Sequence, residues 1–290
     1  MPSTASGDAP IWDNARQRAI GEGELVAALV RARYRLLGEV HDNALHHTVR
    51  ARLLQAIAAA GLRPAVVLEQ FDREHEQALL AAQAGPADAE RLATAGELAR
   101  KSWRWPLHKP LLEAALEAGM PVHAGNLSRS ALEQARKGDT GEARWQRRLH
   151  QAAWSAQQER ALTAEILDAH CGVLPPSAAP RLVTAQRMRD AAMAQALIDA
   201  ATGDGAVLIA GNGHVRTDRG VPVYLAGPGR DGAVVSVGFI ETPAAEPRDA
   251  EVMRRLASAH PAFDYVWFTP PASRDDPCAE LRAAPRPAAG

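Results

Sequence analysis

The chain has 290 residues, of which 47% are hydrophobic and 23% charged, and its formal net charge is -1 at pH 7. These values are typical of a globular protein of one or two domains. The near-neutral charge argues against a nucleic-acid partner. No apolar run approaches the ~20 residues that a transmembrane helix needs.

Residues 1–24 contain four carboxylates and no continuous apolar stretch, and no cysteine near the start could carry a lipid. As written, the sequence predicts a cytoplasmic protein, and a misassigned start would make it periplasmic or membrane-anchored. The two cysteines, Cys171 and Cys278, lie in unrelated contexts. We therefore expect two unpaired thiols.

Helix and strand patterns alternate along most of the chain. Residues 1–21 are polar and are predicted to form a flexible N-terminus. A strand over 34–40, a helix over 44–60 and a strand over 65–71 have the lengths of a β-α-β unit. Further helices are predicted over 23–33, 74–84, 87–101, 110–118 and 181–202, and further strands over 122–124 and 206–210.

Two regions depart from this alternation. Residues 128–172 keep a helical pattern, which predicts an inserted helical hairpin that would form a wall or lid at the strand ends. A β-rich C-terminal edge with some antiparallel strands is predicted over 221–225, 234–240 and 265–268. The segment 269–290 is rich in Pro, Ala and Arg and is predicted to be a disordered tail.

The predicted fold class is therefore α/β, with one domain over 22–268 and a mostly parallel sheet flanked by helices. Four predicted strands end in polar residues, at 38–41 (Gly-Glu-Val-His), 69–70 (Glu-Gln), 125–126 (Gly-Asn) and 211–214 (Gly-Asn-Gly-His). The carboxyl ends of parallel strands share one edge of a sheet, where ligands bind. The sequence thus predicts one polar site assembled from distant segments.

Glu39 and His41 are two residues apart at a strand end, so alternation places them on the same face. The carboxylate could orient the imidazole as a base or share a metal with it. Glu69 ends an apolar run, where an unpaired charge is costly. If its strand lies beside the first, Glu69 and Glu39 would share a proton or bind a cation. The alternative is a salt bridge from Glu69 to Arg73 or Arg189.

His214 follows a turn bracketed by two glycines, which favours a site residue over a solvated histidine. Asp190, on the preceding helix, is a reasonable partner for His214 or for an arginine. His46 and His47 lie in the first turn of the helix after the first strand. One of these two imidazoles would face the site, and the other would be solvated.

Trp103 and Trp105 form an aromatic cluster just before a predicted helix. They could pack in the core, which is the default for tryptophan, or line an apolar pocket for a flat ligand. His108 and Lys109 follow them and would add a metal-capable nitrogen and a partner for an anion.

Together these motifs resemble the ChaN-like haem-binding family, part of the Tiki/TraB and erythromycin-esterase-like superfamily. The matching segments run in the family's order over about 34–226 and are 38–43 with His47, 68–69, 105–106, 109–111, 125–126, 189–190, 193–194, 211–214 and 220–222.

The resemblance implies a haem-binding protein of bacterial haem or iron uptake, often a dimer, with a tyrosine as the iron ligand and a histidine and a lysine near the propionates. His108 stands where a tyrosine is expected, and histidine is a common haem ligand. The haem-binding candidates are His108, Lys109, Trp103, Trp105, His46, His47, Asn126, Arg189, Asp190 and Asn212.

The wider superfamily implies an alternative, a hydrolase that works through a divalent metal or a general base. In that case Glu39, His41, Glu69 and His214 would be the catalytic residues and the metal ligands. A domain that has lost both activities and serves as a scaffold is the third alternative.

Overall fold

A computed structural model describes residues 11–137, 143–226, 234–243, 249–276 and 278–279. Within these residues, eight strands form one sheet in the order β2-β1-β8-β7-β3-β6-β4-β5. The strands are β1 (Ile11–Asp13), β2 (Arg18–Ile20), β3 (Tyr34–Leu37), β4 (Ala65–Asp72), β5 (Val122–Asn126), β6 (Ala206–Ile209), β7 (Val234–Glu241) and β8 (Tyr265–Thr269). All neighbours from β8 to β5 are parallel, and β1 runs antiparallel to β2 and β8. The predicted α/β class and mostly parallel sheet are confirmed.

Helices cover both faces of the sheet. The first face carries α1 (Glu22–Arg31), α2 (Ala44–Ala59), α3 (Glu76–Ala82), α4 (Ala89–Ala95) and α5 (Lys109–Glu117). The second face carries α6 (Arg129–Arg136), α7 (Ala143–Gln151), α9 (Ala179–Ala200), α10 (Asn212–Val215), α11 (Val221–Leu225) and α12 (Ala250–Ser258). Helix α8 (Ala156–Ala169) packs against α9. None of the described helices has the length and apolar character that crossing a membrane requires.

Strand alternation divides the core between these two faces. Leu37 and Leu68 belong to the cluster under α1 to α5, whereas Leu36 and Val67 belong to the cluster under α9. All four side chains are buried. Consecutive residues beyond each strand end therefore point to opposite faces, which places functional side chains both above and below the sheet.

Three predicted elements differ from the structure. Residues 221–225 form helix α11 rather than a strand, because Pro222 lacks the N–H that a ladder needs but suits a first helical turn. Strands β7 and β8 lie inside the sheet and are parallel. The antiparallel edge is the hairpin β1–β2, which lies in the segment expected to be flexible and is anchored by the buried Ile11 and Trp12.

The insertion contains three helices, α6 to α8, rather than a hairpin. The two cysteines are not free, since Cys171 and Cys278 form a disulfide across 107 residues of sequence. In the predicted tail, Thr269 closes β8 and Arg274 pairs with Glu241. The rest of that prediction, at 277 and 280–290, lies outside the described residues, as do residues 1–10 of the predicted N-terminus.

Candidate functional site

The carboxyl ends of β3, β4, β5 and β6 surround an open cavity of about 560 Å³. Its wall includes Glu39, His41, Glu69, Asn126 and His214, which come from all four polar strand ends singled out in the sequence. The insertion reaches this side as well, because Glu165 of α8 lies 3.6 Å from the position that a Cβ at residue 213 would occupy.

Glu39, two residues after the end of β3, is a buried carboxylate with a partner for each oxygen. Its Oε1 lies 2.5 Å from Nδ1 of His41 and accepts a 3.0 Å hydrogen bond from Nε2 of Gln70. Its Oε2 pairs with the guanidinium of Arg50, which projects from α2 and is itself buried. Burial lowers the pKa of Arg50 to about 9, which is still high enough to keep its guanidinium charged at neutral pH. The result is an ion pair sealed beneath His41.

Two neutral imidazoles complete this cluster. His47 Nε2 donates to the carbonyl oxygen of His41 at 2.9 Å, which leaves Nδ1 to accept from Arg50 at 2.8 Å. His108 packs on His47 with ring centroids 4.1 Å apart, and its Nε2 lies 3.4 Å from Glu39. Burial is the main cause that lowers the pKa of both histidines to about 3.

Glu39, His47 and His108 are the residues of the described chain whose ligand atoms lie within 4.8 Å of one another, as a metal site requires. Arg50 contacts both Glu39 and His47 and already supplies a cation there. Arg50 therefore neutralises the negative charge of this cluster, so the chain itself supplies the positive charge that a metal ion would bring.

A second charged cluster lies on the opposite face of the sheet. His214 places Nδ1 2.6 Å from Asp190 of α9 and Nε2 3.3 Å from Glu69 of β4. Glu69 also accepts a 2.7 Å hydrogen bond from the backbone N–H of Gly211. The contact expected between Asp190 and His214 is therefore present. Glu69 pairs with His214 rather than with the alternative Arg73 or Arg189.

The protonation of this cluster follows from its charges. Burial opposes the charge on His214, but Glu69 and Asp190 outweigh burial and raise its pKa to about 10. Burial likewise disfavours the charge on Glu69, yet His214 and His41 hold the pKa of that carboxyl below its usual value. Burial raises the pKa of Asp190 to about 6 against the opposing charge of His214. At neutral pH an imidazolium thus lies between two carboxylates.

The two carboxylates of the strand ends do not form a pair. Strand β6 lies between β3 and β4, so Glu39 and Glu69 are not on neighbouring strands, and each carboxylate has its own cation. The condition for a shared proton or a shared cation is not met. For the same reason, the described structure does not gather His41, His214, Glu39 and Glu69 into one set of metal ligands.

His41 is the more exposed of the two imidazoles that line the cavity. Its side chain is 46% exposed, its ring lies edge-on to Trp103 at 4.9 Å, and Nδ1 is held by Glu39. Gly211 makes room for it, because a Cβ at that position would lie 2.9 Å from Cε1 and 3.0 Å from Nε2 of His41. Among the described residues, Nε2 has no hydrogen-bond partner and is the free edge of the ring.

The chain resembles known proteins in sequence family and in fold. The family model described as haem-binding uptake, Tiki superfamily, ChaN matches residues 25–225. The chain belongs to this family. No curated protein matches it.

Several solved structures resemble the ChaN-family chain. Cofacial haem-binding ChaN of Campylobacter jejuni is 20% identical, with a TM-score of 0.70, and the match covers 90% of this chain and 96% of that one. The MARTX toxin effector domain RRSP of Vibrio vulnificus is 17% identical, with a TM-score of 0.45 and coverage of 73% and 35%. The type III effector HopBA1 is 14% identical, with a TM-score of 0.43 and coverage of 85% and 91%. At these identities, the first match establishes a shared fold.

In this ChaN-family fold, several residues expected to bind the cofactor lie away from the cavity. His108 is fully buried, and Lys109 is exposed beside Glu113 at 3.5 Å. Trp103 lines the cavity, whereas Trp105 donates its Nε1 hydrogen bond to Glu90 at 3.1 Å.

Both histidines at the start of α2 are buried, so the expected solvated one is absent. His46 Nδ1 accepts from the N–H of Val40 at 2.9 Å, and His47 binds the carbonyl of His41. The two rings thus satisfy backbone groups left unpaired where β3 ends. Burial lowers the pKa of His46 to about 4.

Asn126, Arg189 and Asn212 all contribute to the cavity wall. The amide of Asn212 is engaged in structure, because its Nδ2 donates to the Phe239 carbonyl at 2.6 Å and its Oδ1 accepts from the Phe239 N–H at 3.0 Å. This side chain ties the β6 end to β7. The Asn126 and Arg189 side chains are freer to meet a ligand.

Sequence reasoning missed Arg50 and Gln186, and it noted Gln70 at a polar strand end without assigning it a role. Arg50 lies three residues after His47 on a helix face that continues with Leu53 and Leu54, and a charge at that spacing signals an internal partner. Gln70 follows Glu69 and points to the opposite face, where it reaches Glu39. Gln186 of α9 places its amide nitrogen 3.2 Å from Nδ1 of His214 and lines the cavity.

Proposed function

We propose that this ChaN-family protein binds haem at the cavity on the carboxyl edge of the sheet, where Nε2 of His41 would be a ligand of the iron. The observation that carries the proposal is the geometry of His41. Glu39 holds Nδ1 at 2.5 Å, which fixes the ring orientation and leaves Nε2 directed away from that carboxylate. A carboxylate behind a ligating histidine is the usual support for a metal-bound imidazole.

Among the residues that line the cavity, Trp103 and Val40 are apolar and would contact the flat face of the ligand, whereas the others are polar or glycine. The cavity of about 560 Å³ lies in the range of cofactor pockets. Trp103 offers an aromatic wall beside His41, and Gly211 leaves the ring its space. When bound, haem iron supplies the open coordination position that a neutral imidazole nitrogen can fill.

His41 is a better iron ligand than His108 on grounds of access. His108 is 1% exposed and enclosed by His47, Trp103 and Glu39. A haem cannot reach it without opening the core. The role assigned to His108 from the resemblance therefore passes to His41, and Lys109 is left at the surface.

We further propose a role in haem or iron handling in an oxidising compartment such as the bacterial periplasm. The family description supports the first part. The Cys171–Cys278 disulfide supports the second, because such bonds persist in oxidising compartments. The Campylobacter protein binds haem cofacially. A homodimer that brings two haem sites face to face would allow the same arrangement here.

A hydrolase remains the second candidate, favoured by the same His41–Glu39 contact. A half-exposed imidazole oriented by a carboxylate can act as a general base toward water. The metal-dependent version is less well supported, because Arg50 neutralises the His47–His108–Glu39 cluster.

The deciding experiment is a titration of hemin into the purified protein, monitored at the Soret band. We expect a saturable shift that is weakened at least tenfold in His41→Ala. His150→Ala, a change at an exposed histidine on α7, serves as the matched control and should titrate like the wild type.

A wild type that shows only the spectrum of free hemin would refute haem binding. A His41→Ala protein with the wild-type spectrum would refute the ligand assignment alone. Esterase or peptidase turnover that disappears in His41→Ala, in the absence of a hemin shift, would favour the hydrolase.

A further inference from the structure

Two cations line the cavity among the described residues, and they differ in how they are neutralised. His214 has a carboxylate on each ring nitrogen. Arg189 of α9 has no hydrogen bond or ion pair to another described residue, and its Nε is buried without a partner. Because an unsatisfied guanidinium N–H is costly in a buried position, the site is incomplete around Arg189.

The neighbouring carboxylates do not complete it. Glu69 and Asp190 are both committed to His214. Asp72 feels the charge of Arg189 but makes no ion pair with it. The pKa of Asp72 is raised by burial first and by Glu74 second, so Arg189 does not neutralise it. The partner of Arg189 must therefore come from outside the described chain.

A second donor lies in the same cavity wall. Asn126, at the end of β5, uses Oδ1 to accept the backbone N–H of Leu127 at 2.9 Å. That bond fixes the amide orientation and leaves Nδ2 as a donor without a partner among the described residues. A guanidinium and an amide NH₂ both donate, so together they favour an anion with two acceptor oxygens.

We propose that Arg189 and Asn126 form a carboxylate-binding subsite of the cavity, and that it holds a propionate of the haem whose iron is bound by His41. This assignment rests on the proposed function. It adds that the propionate end of the haem lies beside α9. The planar fork of arginine recognises a carboxylate through two hydrogen bonds, which a neutral edge of the porphyrin does not offer.

The test compares hemin with hemin dimethyl ester, in which both propionates are esterified and uncharged. Arg189→Gln removes the charge, and Asn126→Asp replaces the amide donor with a negative charge while keeping the oxygen that binds Leu127. Arg181→Gln, a change at an exposed arginine on the same helix, is the matched control. Thermal melts verify that each variant is folded.

We expect Arg189→Gln and Asn126→Asp to weaken hemin binding about tenfold or more, the range for a hydrogen bond to a charged group. Both variants should weaken binding of the dimethyl ester much less than binding of hemin, because the ester keeps a carbonyl acceptor but carries no charge. Arg181→Gln should alter binding of neither compound. Should Arg189→Gln fail to fold, Asn126→Asp carries the test.

The subsite is overturned if the variants lose equal affinity for hemin and its ester, or if neither variant loses affinity. In both cases a Soret shift in the wild type would still support the proposed function. A wild type that binds neither compound overturns both. If wild type binds the ester as tightly as hemin, the propionates make no ionic contact and the subsite assignment is wrong.

Discussion

Arg50 is the residue on which the first cluster depends. It is fully buried and supplies the positive charge that faces Glu39. Replacing it with methionine keeps much of the volume but leaves a buried carboxylate without its cation. Because breaking one side of a buried ion pair costs about 3–5 kcal/mol, we expect Arg50→Met to lower the free energy of unfolding by that amount.

Urea denaturation measures this loss, and Arg52→Met is its control. Arg52 lies two residues after Arg50 on the same helix but pairs with Glu22 at the surface. Its replacement should therefore lower the free energy of unfolding by less than about 1 kcal/mol. Equal effects of the two substitutions would mean that the Glu39–Arg50 pair contributes no more than a surface contact.

At this scale, the sequence predicts contacts that follow from local geometry. The two-residue spacing of Glu39 and His41 correctly places both on one side of the strand end. The roles of His108 and Arg50 are different, because they depend on how α5 and α2 pack against the sheet. Neighbouring residues therefore contain no signal that His108 is enclosed. The spacing of Arg50 on α2 indicates an internal partner, but it does not identify Glu39 as that partner.

At the scale of elements, strand order explains the largest difference between expectation and structure. Chain order suggests that β3 and β4 are neighbours, but β6, from about 140 residues later, pairs with both. Parallel pairing is set by long-range packing, and the crossover pattern does not determine which strand inserts. The same edge nevertheless collects all four polar strand ends, so the position of the cavity was predictable although the pairing of the strands around it was not.

The disulfide between Cys171 and Cys278 joins the end of α8 to the segment after β8. Its 107-residue separation makes the pairing invisible to local sequence patterns. A bond closing a loop of this length contributes up to about 4–5 kcal/mol in the chain-entropy description. We expect Cys278→Ser to melt several degrees below the oxidised wild type and to be cut faster by trypsin at Arg274.

Reductant provides the matched control for this prediction. A dithiol should lower the melting temperature of the wild type to that of Cys278→Ser and leave the variant unchanged. If the dithiol leaves the melting temperature of the oxidised wild type unchanged, the bond does not hold the two segments together.

At the scale of the whole molecule, opposite pKa shifts make stability depend on pH in both directions. Burial lowers the pKa of His46 to about 4 and those of His47 and His108 to about 3, from an ordinary 6.5. The unfolded chain therefore binds more protons below pH 6.5. The stability from these three groups is complete above that pH and is lost as the pH falls toward 3–4.

His214 has the opposite sign. Its pKa is raised to about 10 in the folded chain, so the stability it contributes is complete below pH 6.5 and is lost as the pH rises toward 10. The pKa of Asp190 is raised to about 6, so the stability that this carboxyl contributes is lost as the pH rises from about 4 to 6. This loss opposes the gain in stability from the three buried histidines over the same range. Below pH 6.5 the three histidines outweigh Asp190, and above that pH His214 lowers the stability. We therefore expect maximum stability near pH 6.5–7.

Urea denaturation across pH 4–9 tests this profile, with His214→Gln as the diagnostic variant. A one-proton difference corresponds to a slope of about 1.4 kcal/mol per pH unit. The wild type should therefore lose on the order of 2 kcal/mol more than the variant between pH 7 and 9. Nitrogen chemical shifts of His214 provide an independent reading in the folded wild type, since an imidazolium between Glu69 and Asp190 keeps both protons at pH 8. A neutral ring at pH 8, or parallel pH profiles for the two proteins, would show that the two carboxylates do not hold a charged His214.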